Sequence, residues 1–157
     1  MTLPEPRLSK LYQEVILDHN HRPRNFKVLT NATQYSHGVN PLCGDDYHLT
    51  LLIDQDGVIQ DVGFEGAGCA ISKASSSMMT SLIKGKATAE AARLRENFLK
   101  MMTEDSVPAT VKEATGRMII FEGVKEFPVR VKCATLIWQA LGDALKDVRV
   151  SASPSKP

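Results

Sequence analysis

Tyr47-His48-Leu49-Thr50-Leu51-Leu52-Ile53, then Asp54-Gln55-Asp56-Gly57, then Val58-Ile59-Gln60-Asp61-Val62-Gly63-Phe64, is the stretch that decides the fold. Tyr47, Leu49, Leu51 and Ile53 fall on one side of an extended chain, with His48 and Thr50 on the other. That alternation predicts a half-buried strand. The Asp/Gly-rich tetrapeptide supplies turn chemistry, and apolar residues return from Val58 to Phe64, so the two segments read as an antiparallel hairpin. A period of two argues against an all-helical bundle.

Outward from the hairpin the periodicity changes. Gly66-Ala67-Gly68-Cys69 reads as a tight loop opening a helix whose stripe is Ile71, Ala74, Met78, Leu82 and Ile83, with Gly85 as C-cap. A second helix is expected from about Ala89 to Met102, with Ala91, Leu94, Phe98 and Met101 on one face. Residues 103–126 give a weaker signal, with a short helix near Met118. Phe127-Pro128 reads as a break, and a last helix runs from about Cys133 to Lys146 with Leu136, Ile137, Ala140, Leu141, Ala144 and Leu145 inward. Upstream, Leu8, Leu11, Tyr12, Val15 and Ile16 predict a helix over 8–18, ended by a polar run that contains Pro23. Residues 31–46 read as loop, with a short strand around Gln34 to His37. The expected class is α+β: a small antiparallel sheet covered by helices on one face, in one domain over 1–148, with a polar, disordered tail at 149–157.

The chain has 157 residues, 43% of them hydrophobic, enough for one core without covalent staples. Its 19 basic and 18 acidic residues leave a net charge of +1, which gives no reason to expect a nucleic-acid or membrane-surface partner. No apolar run is long enough to span a bilayer, and the first ten residues hold no apolar segment of the secretory kind. The expected compartment is the cytoplasm, where thiols stay reduced.

Cys43, Cys69 and Cys133 are the three cysteines, an odd count that argues against a disulfide framework. None forms a close CxxC pair, so spacing alone is equally served by three unrelated buried thiols. Their positions favour chemistry. Cys43 lies in a Pro/Gly turn, and Cys69 and Cys133 each fall in the expected first turn of a helix, where the dipole favours the thiolate. Asp45 follows Cys43 by two residues, so a turn can aim both side chains at one point, and a Cys3Asp set would close a tetrahedral zinc site. An Asx-turn role also suits Asp45, and Asp46 competes for the ligand position. His19, His21, His37 and His48 are expected to be exposed rather than ligating. Ser75-Ser76-Ser77 is expected to permit close helix packing. There is no nucleophile elbow, phosphate loop or dinucleotide fingerprint.

Asn40-Pro41-Leu42-Cys43-Gly44-Asp45, Gly68-Cys69-Ala70-Ile71-Ser72-Lys73-Ala74-Ser75-Ser76-Ser77 and Lys132-Cys133-Ala134-Thr135-Leu136 together resemble the three cysteine motifs of the iron–sulfur cluster assembly scaffold superfamily (IscU/NifU N-terminal-like). The opening LYQEVILDHNHRPRNF is similar to its N-terminal segment. Lys132 stands where the scaffolds proper usually carry His, and the stretch between Cys69 and Cys133 is longer; both traits resemble the SufU branch. The resemblance implies zinc held by Cys43, Asp45, Cys69 and Cys133, with Cys43 accepting persulfide sulfur from a SufS-like, pyridoxal-phosphate-dependent cysteine desulfurase. It also implies a downstream iron–sulfur assembly complex as partner. Two other functions stay open on the sequence: a scaffold assembling a [2Fe–2S] cluster or holding iron on the same residues, and a non-catalytic structural zinc module. Arg130 and Lys132 are candidates for docking an acidic partner surface or holding a persulfide anion.

Overall fold

The computed structural model of the chain describes residues 6–146; the tail expected to be disordered lies outside the described residues. Helix α1 (Pro6–His21) leads into β1 (Gln34–Asn40), β2 (Asp45–Ile53) and β3 (Ile59–Ala67), followed by α2 (Ala70–Ile83), α3 (Thr88–Thr103), α4 (Ala109–Ala114), a 3-10 segment (Gly116–Glu126) and α5 (Pro128–Lys146). The sheet is antiparallel in the order β1-β2-β3.

The predicted hairpin forms as its pattern requires. Tyr47, Leu49, Leu51 and Ile53 are all buried, and Leu49 pairs with Phe64 and Leu51 with Val62 across β3. Asp54 closes the turn by accepting from the backbone N–H groups of Asp56 and Val58. Burying four such side chains against helices contributes roughly 1.5–3 kcal/mol each. Helices α2 and α5 lie on that inner face. On the neighbouring β1 the inward positions include Ser36 and Gly38, small enough for α5 to approach: a Cβ at Gly38 would meet Leu136 at 3.3 Å, and the Ser36 hydroxyl donates to the Ala140 carbonyl at 2.7 Å.

Ser75, Ser76 and Ser77 of α2 are fully buried, as close packing requires. Ser75 donates to the Ala134 carbonyl (2.6 Å) and accepts from the Trp138 indole (3.2 Å), while Ser76 donates back to the Ser72 carbonyl (2.8 Å). Trp138 is itself fully buried and stacks at a tilt on Phe98, 4.9 Å between centroids. α2 and α5 are thereby fixed to one another at backbone distance.

Several boundaries differ from the sequence reading. α1 continues past Asp18 to His21, because the first residue forced out of helical geometry is Arg22, which precedes Pro23. Leu8 and Leu11 of its predicted stripe lie outside the described side chains, whereas Ile16 is buried. β1 reaches Asn40 rather than His37, and β3 runs on to Ala67. α5 begins at Pro128, five residues before the expected start at Cys133: proline at the first helical position loses no hydrogen bond and brings a preset φ, so it starts this helix instead of breaking the chain. Residues 109–126, weakly patterned, form α4 and the 3-10 segment, whose Met118, Phe121 and Val124 enter the core.

Candidate metal centre

Asp45 opens β2, and the strand's alternation carries it inward with Tyr47 and Leu49; it is fully buried, whereas Asp46 points to solvent. Cys43 sits two residues earlier in the turn between β1 and β2, half-buried, its N–H donating to the Asn40 carbonyl. Cys69 is the N-cap of α2: its sulfur accepts from the Ser72 N–H at 3.4 Å. Cys133, on α5, is buried with its sulfur 3.1 Å from that of Cys43.

Ligand atoms of Cys43, Asp45 and Cys133 lie within 4.8 Å of one another. Cys69 joins through its backbone, whose N–H donates to Asp45 Oδ1 at 3.0 Å, while its sulfur stays on the Ser72 cap. The structure brings together the ligand atoms of three of the four residues expected from the sequence, and Cys69 adjoins them through its amide rather than its sulfur.

The second carboxylate oxygen, Asp45 Oδ2, is buried and has no hydrogen-bond partner among the described residues. Native structures rarely leave such an oxygen unpaired, because its desolvation is uncompensated. A cation among these sulfurs would compensate it, so the donor set fits zinc: soft thiolates with one carboxylate. Gly68 makes room for this arrangement. A Cβ there would come to 2.5 Å from Asp45 Oδ1 and 2.8 Å from the Tyr47 hydroxyl.

Cys133 departs from its expected environment. It lies in the second turn of α5, away from the helix N-terminus, and burial pushes its thiol pKa up, reinforced by the neighbouring Cys43, Cys69 and Asp45. Without a cation this thiol keeps its proton. Tyr47 and Ser72, which the sequence reading did not single out, floor the site: their hydroxyls lie 3.2 Å apart, and burial pushes the Tyr47 phenol up to about 12. The signal for Tyr47 was its place two residues after Asp45 on the same strand face. Arg130 and Lys132 are exposed.

Of the four histidines, His19 is buried instead of exposed, since α1 packs on α2 and delivers its ring to Ser77 (2.7 Å). His37 and His48 lie on the opposite sheet face from the cysteines, with Asp46 between them.

The family model described as NifU-like N terminal domain matches residues 11–149. Among relatives, the zinc-dependent sulfurtransferase SufU of Bacillus subtilis (strain 168) is 42% identical over 134 residues, covering 85% of this chain and 88% of that one. The iron-sulfur cluster assembly scaffold protein IscU of Streptococcus pyogenes serotype M1 is 42% identical over 142 residues, covering 89% and 86%. A crystal structure of an iron-sulfur cluster assembly scaffold protein for the SUF system from Fervidobacterium islandicum AW-1 superposes with a TM-score of 0.78 at 38% identity, over 87% of this chain and 97% of that one.

Proposed function

The chain belongs to the NifU-like N-terminal domain family, and from that premise we propose that it is a zinc-dependent sulfurtransferase of iron–sulfur cluster assembly, taking persulfide sulfur from a cysteine desulfurase. The observation that carries the proposal is the unpartnered Asp45 Oδ2, buried beside the sulfurs of Cys43 and Cys133. Cys43, Asp45, Cys69 and Cys133 would hold the zinc. When bound, it keeps the thiols deprotonated without offering redox chemistry.

Cys43 is the acceptor in this reading. It stands on a turn, whereas Cys69 caps α2 and Cys133 is built into α5, so Cys43 is the thiol that moves at least cost. Its thiolate attacks the outer sulfur of the desulfurase's cysteine persulfide. The bond between that sulfur and the desulfurase cysteine breaks, the desulfurase thiolate leaves, and Cys43 carries the persulfide. One S–S bond replaces another, so no oxidant or reductant is consumed. Leu42, largely exposed beside Cys43, and the exposed Phe127, Val129, Arg130 and Lys132 at the start of α5 offer an apolar and basic surface for the partner enzyme. The reading places the chain in the cytoplasm, where free thiols persist.

The test mixes cysteine, a cysteine desulfurase and this protein, and maps persulfide by mass spectrometry. Cys43→Ser should abolish labelling and the stimulation of desulfurase turnover. Persulfide on Cys69 or Cys133 in that variant, with turnover still stimulated, would overturn the assignment. A second reading, a scaffold assembling a [2Fe–2S] cluster, is favoured by the equally similar relative named as a scaffold. Protein purified without oxygen separates the two: stoichiometric zinc supports the first, iron with acid-labile sulfide the second.

A further inference from the structure

On the sheet face turned away from the cysteines, strand pairing sets His37 directly opposite His48, and Val39 opposite Asp46. The two imidazoles stack in parallel, 4.2 Å between centroids and 7° between planes. Asp46 Oδ1 lies 2.6 Å from His37 Nε2 and 3.9 Å from His48 Nε2. Ligand atoms of all three residues lie within 4.8 Å of one another, and all three reach solvent.

We propose that His37, His48 and Asp46 form a second metal site, independent of the cysteine centre, for a divalent first-row transition ion of the zinc class. Two imidazoles and a carboxylate on one side of the ion, with water completing the shell, are a donor set suited to zinc or ferrous iron rather than calcium or magnesium. The distances are close to what such an ion needs. Metal–ligand bonds of about 2.0–2.1 Å set tetrahedral ligand atoms roughly 3.3 Å apart. The carboxylate oxygen's 2.6 and 3.9 Å separations straddle that value, so small side-chain rotations that splay the stacked rings reach it.

The surroundings support ligation. Tyr35 stacks on His48, and its hydroxyl lies 2.7 Å from His48 Nδ1. With the Nδ1–H donating to that hydroxyl, His48 presents a bare Nε2 to the ion, the second-sphere arrangement typical of ligating histidines. Glu65 pairs with His48 from β3, and the strand positions of this face nearest the pair, 35, 37, 39, 46, 48, 50, 63, 65 and 67, include no Lys or Arg to repel a cation. In the metal-free protein Asp46 Oδ1 accepts a hydrogen bond from His37 Nε2, and the ion takes the place of that contact. Asp45 and Asp46 thus serve two centres on opposite faces of one strand.

The test titrates Zn2+ into the reduced, chelator-stripped full chain and follows the histidine ring resonances by NMR alongside calorimetry. Beyond any ion taken by the cysteines, one further equivalent should bind, shifting the rings of His37 and His48 and leaving those of His19 and His21 in place. His37→Ala/His48→Ala should remove that equivalent, and Asp46→Asn should weaken it at least tenfold. The ring readout on the unaltered chain stands whether or not the cysteines bind zinc, and whether or not the double variant folds. Rings of His37 and His48 that stay unshifted at saturating Zn2+, or a second equivalent that survives in the folded double variant, would overturn the proposal.

Discussion

Replacing Asp45 by Asn changes one atom of the site and separates a metal ligand from a structural carboxylate. The amide oxygen can still accept from the Cys69 N–H, now 3.0 Å from Asp45 Oδ1. What is lost is the charge and Oδ2, the oxygen that lies buried without a partner. In metal-free protein that oxygen carries an uncompensated desolvation of about 1–3 kcal/mol. An amide there is neutral and turns its hydrogens toward the sulfurs of Cys43 and Cys133. The chelated variant should therefore be more stable than chelated wild type by about 1–3 kcal/mol, several degrees in melting temperature at roughly 2–4 °C per kcal/mol for a chain of this size. With zinc present the order should reverse. Wild type gains in proportion to the logarithm of zinc over its dissociation constant, and each tenfold loss of affinity in the variant removes about 1.4 kcal/mol of that gain. Urea denaturation of both proteins, once in chelator and once with excess zinc, reads all four stabilities. A variant destabilised equally in the two conditions would refute the reasoning, because Asp45 would then hold the fold without holding a metal.

Gly68→Ala should lower zinc affinity at least tenfold, measured by competition with a chromophoric chelator, because its Cβ would lie 2.5 Å from Asp45 Oδ1 and displace the carboxylate. His19 gives a pH signature: burial lowers its pKa below 6.5, so the unfolded chain binds the proton more readily than the folded one. Its contribution to stability is complete above 6.5 and is lost as pH falls from there through the lowered folded value, and His19→Gln should flatten the fall in urea midpoint over that window.

The parts of this molecule legible in its sequence are those written in a local period. The alternation from Tyr47 to Ile53 fixed both the hairpin and its buried face, and the same alternation extended backwards separates Asp45 from Asp46. Cys43 and Cys69 could be placed because each lies beside strong punctuation, Pro41 and Gly44 for the first and Gly68 for the second, whereas Cys133 has none beside it. Pro128 was the ambiguous mark: after Phe127 it reads as a stop, and only the packing of Val131, Ala134 and Trp138 shows that the helix has already begun. That shift moves Cys133 from a helix end into a buried second turn and replaces dipole assistance by desolvation. His19 and the pair His37/His48 were illegible for a different reason. Their environments come from contacts between residues 58 and 11 positions apart, and no local period encodes the register that creates them.

The division of rigidity around the cysteines follows from the same packing. Cys133 adjoins Ala134, whose carbonyl is tied to Ser75, and Ser75 in turn holds the Trp138 indole. Moving Cys133 would disturb a fully buried tryptophan and two buried hydrogen bonds, each worth about 0.5–1.5 kcal/mol. Cys69 shares α2 with Ser75, and its sulfur caps that helix, so displacing it exposes an N-terminal amide. Cys43 is held by the turn hydrogen bond from its own N–H to Asn40, 3.2 Å long, and by the Cys133 thiol 3.1 Å away, with no helix behind it. Glycine at 44, with φ at +74°, lets the chain reverse immediately after it. The cost of reaching outward is therefore least at Cys43, and it is also the cysteine next to the exposed Leu42. In the proposed transfer, an acceptor that must meet another protein's sulfur and return to a fixed pair of thiols needs that asymmetry, which one cysteine on a turn and two on helices locked through Ser75 would give it.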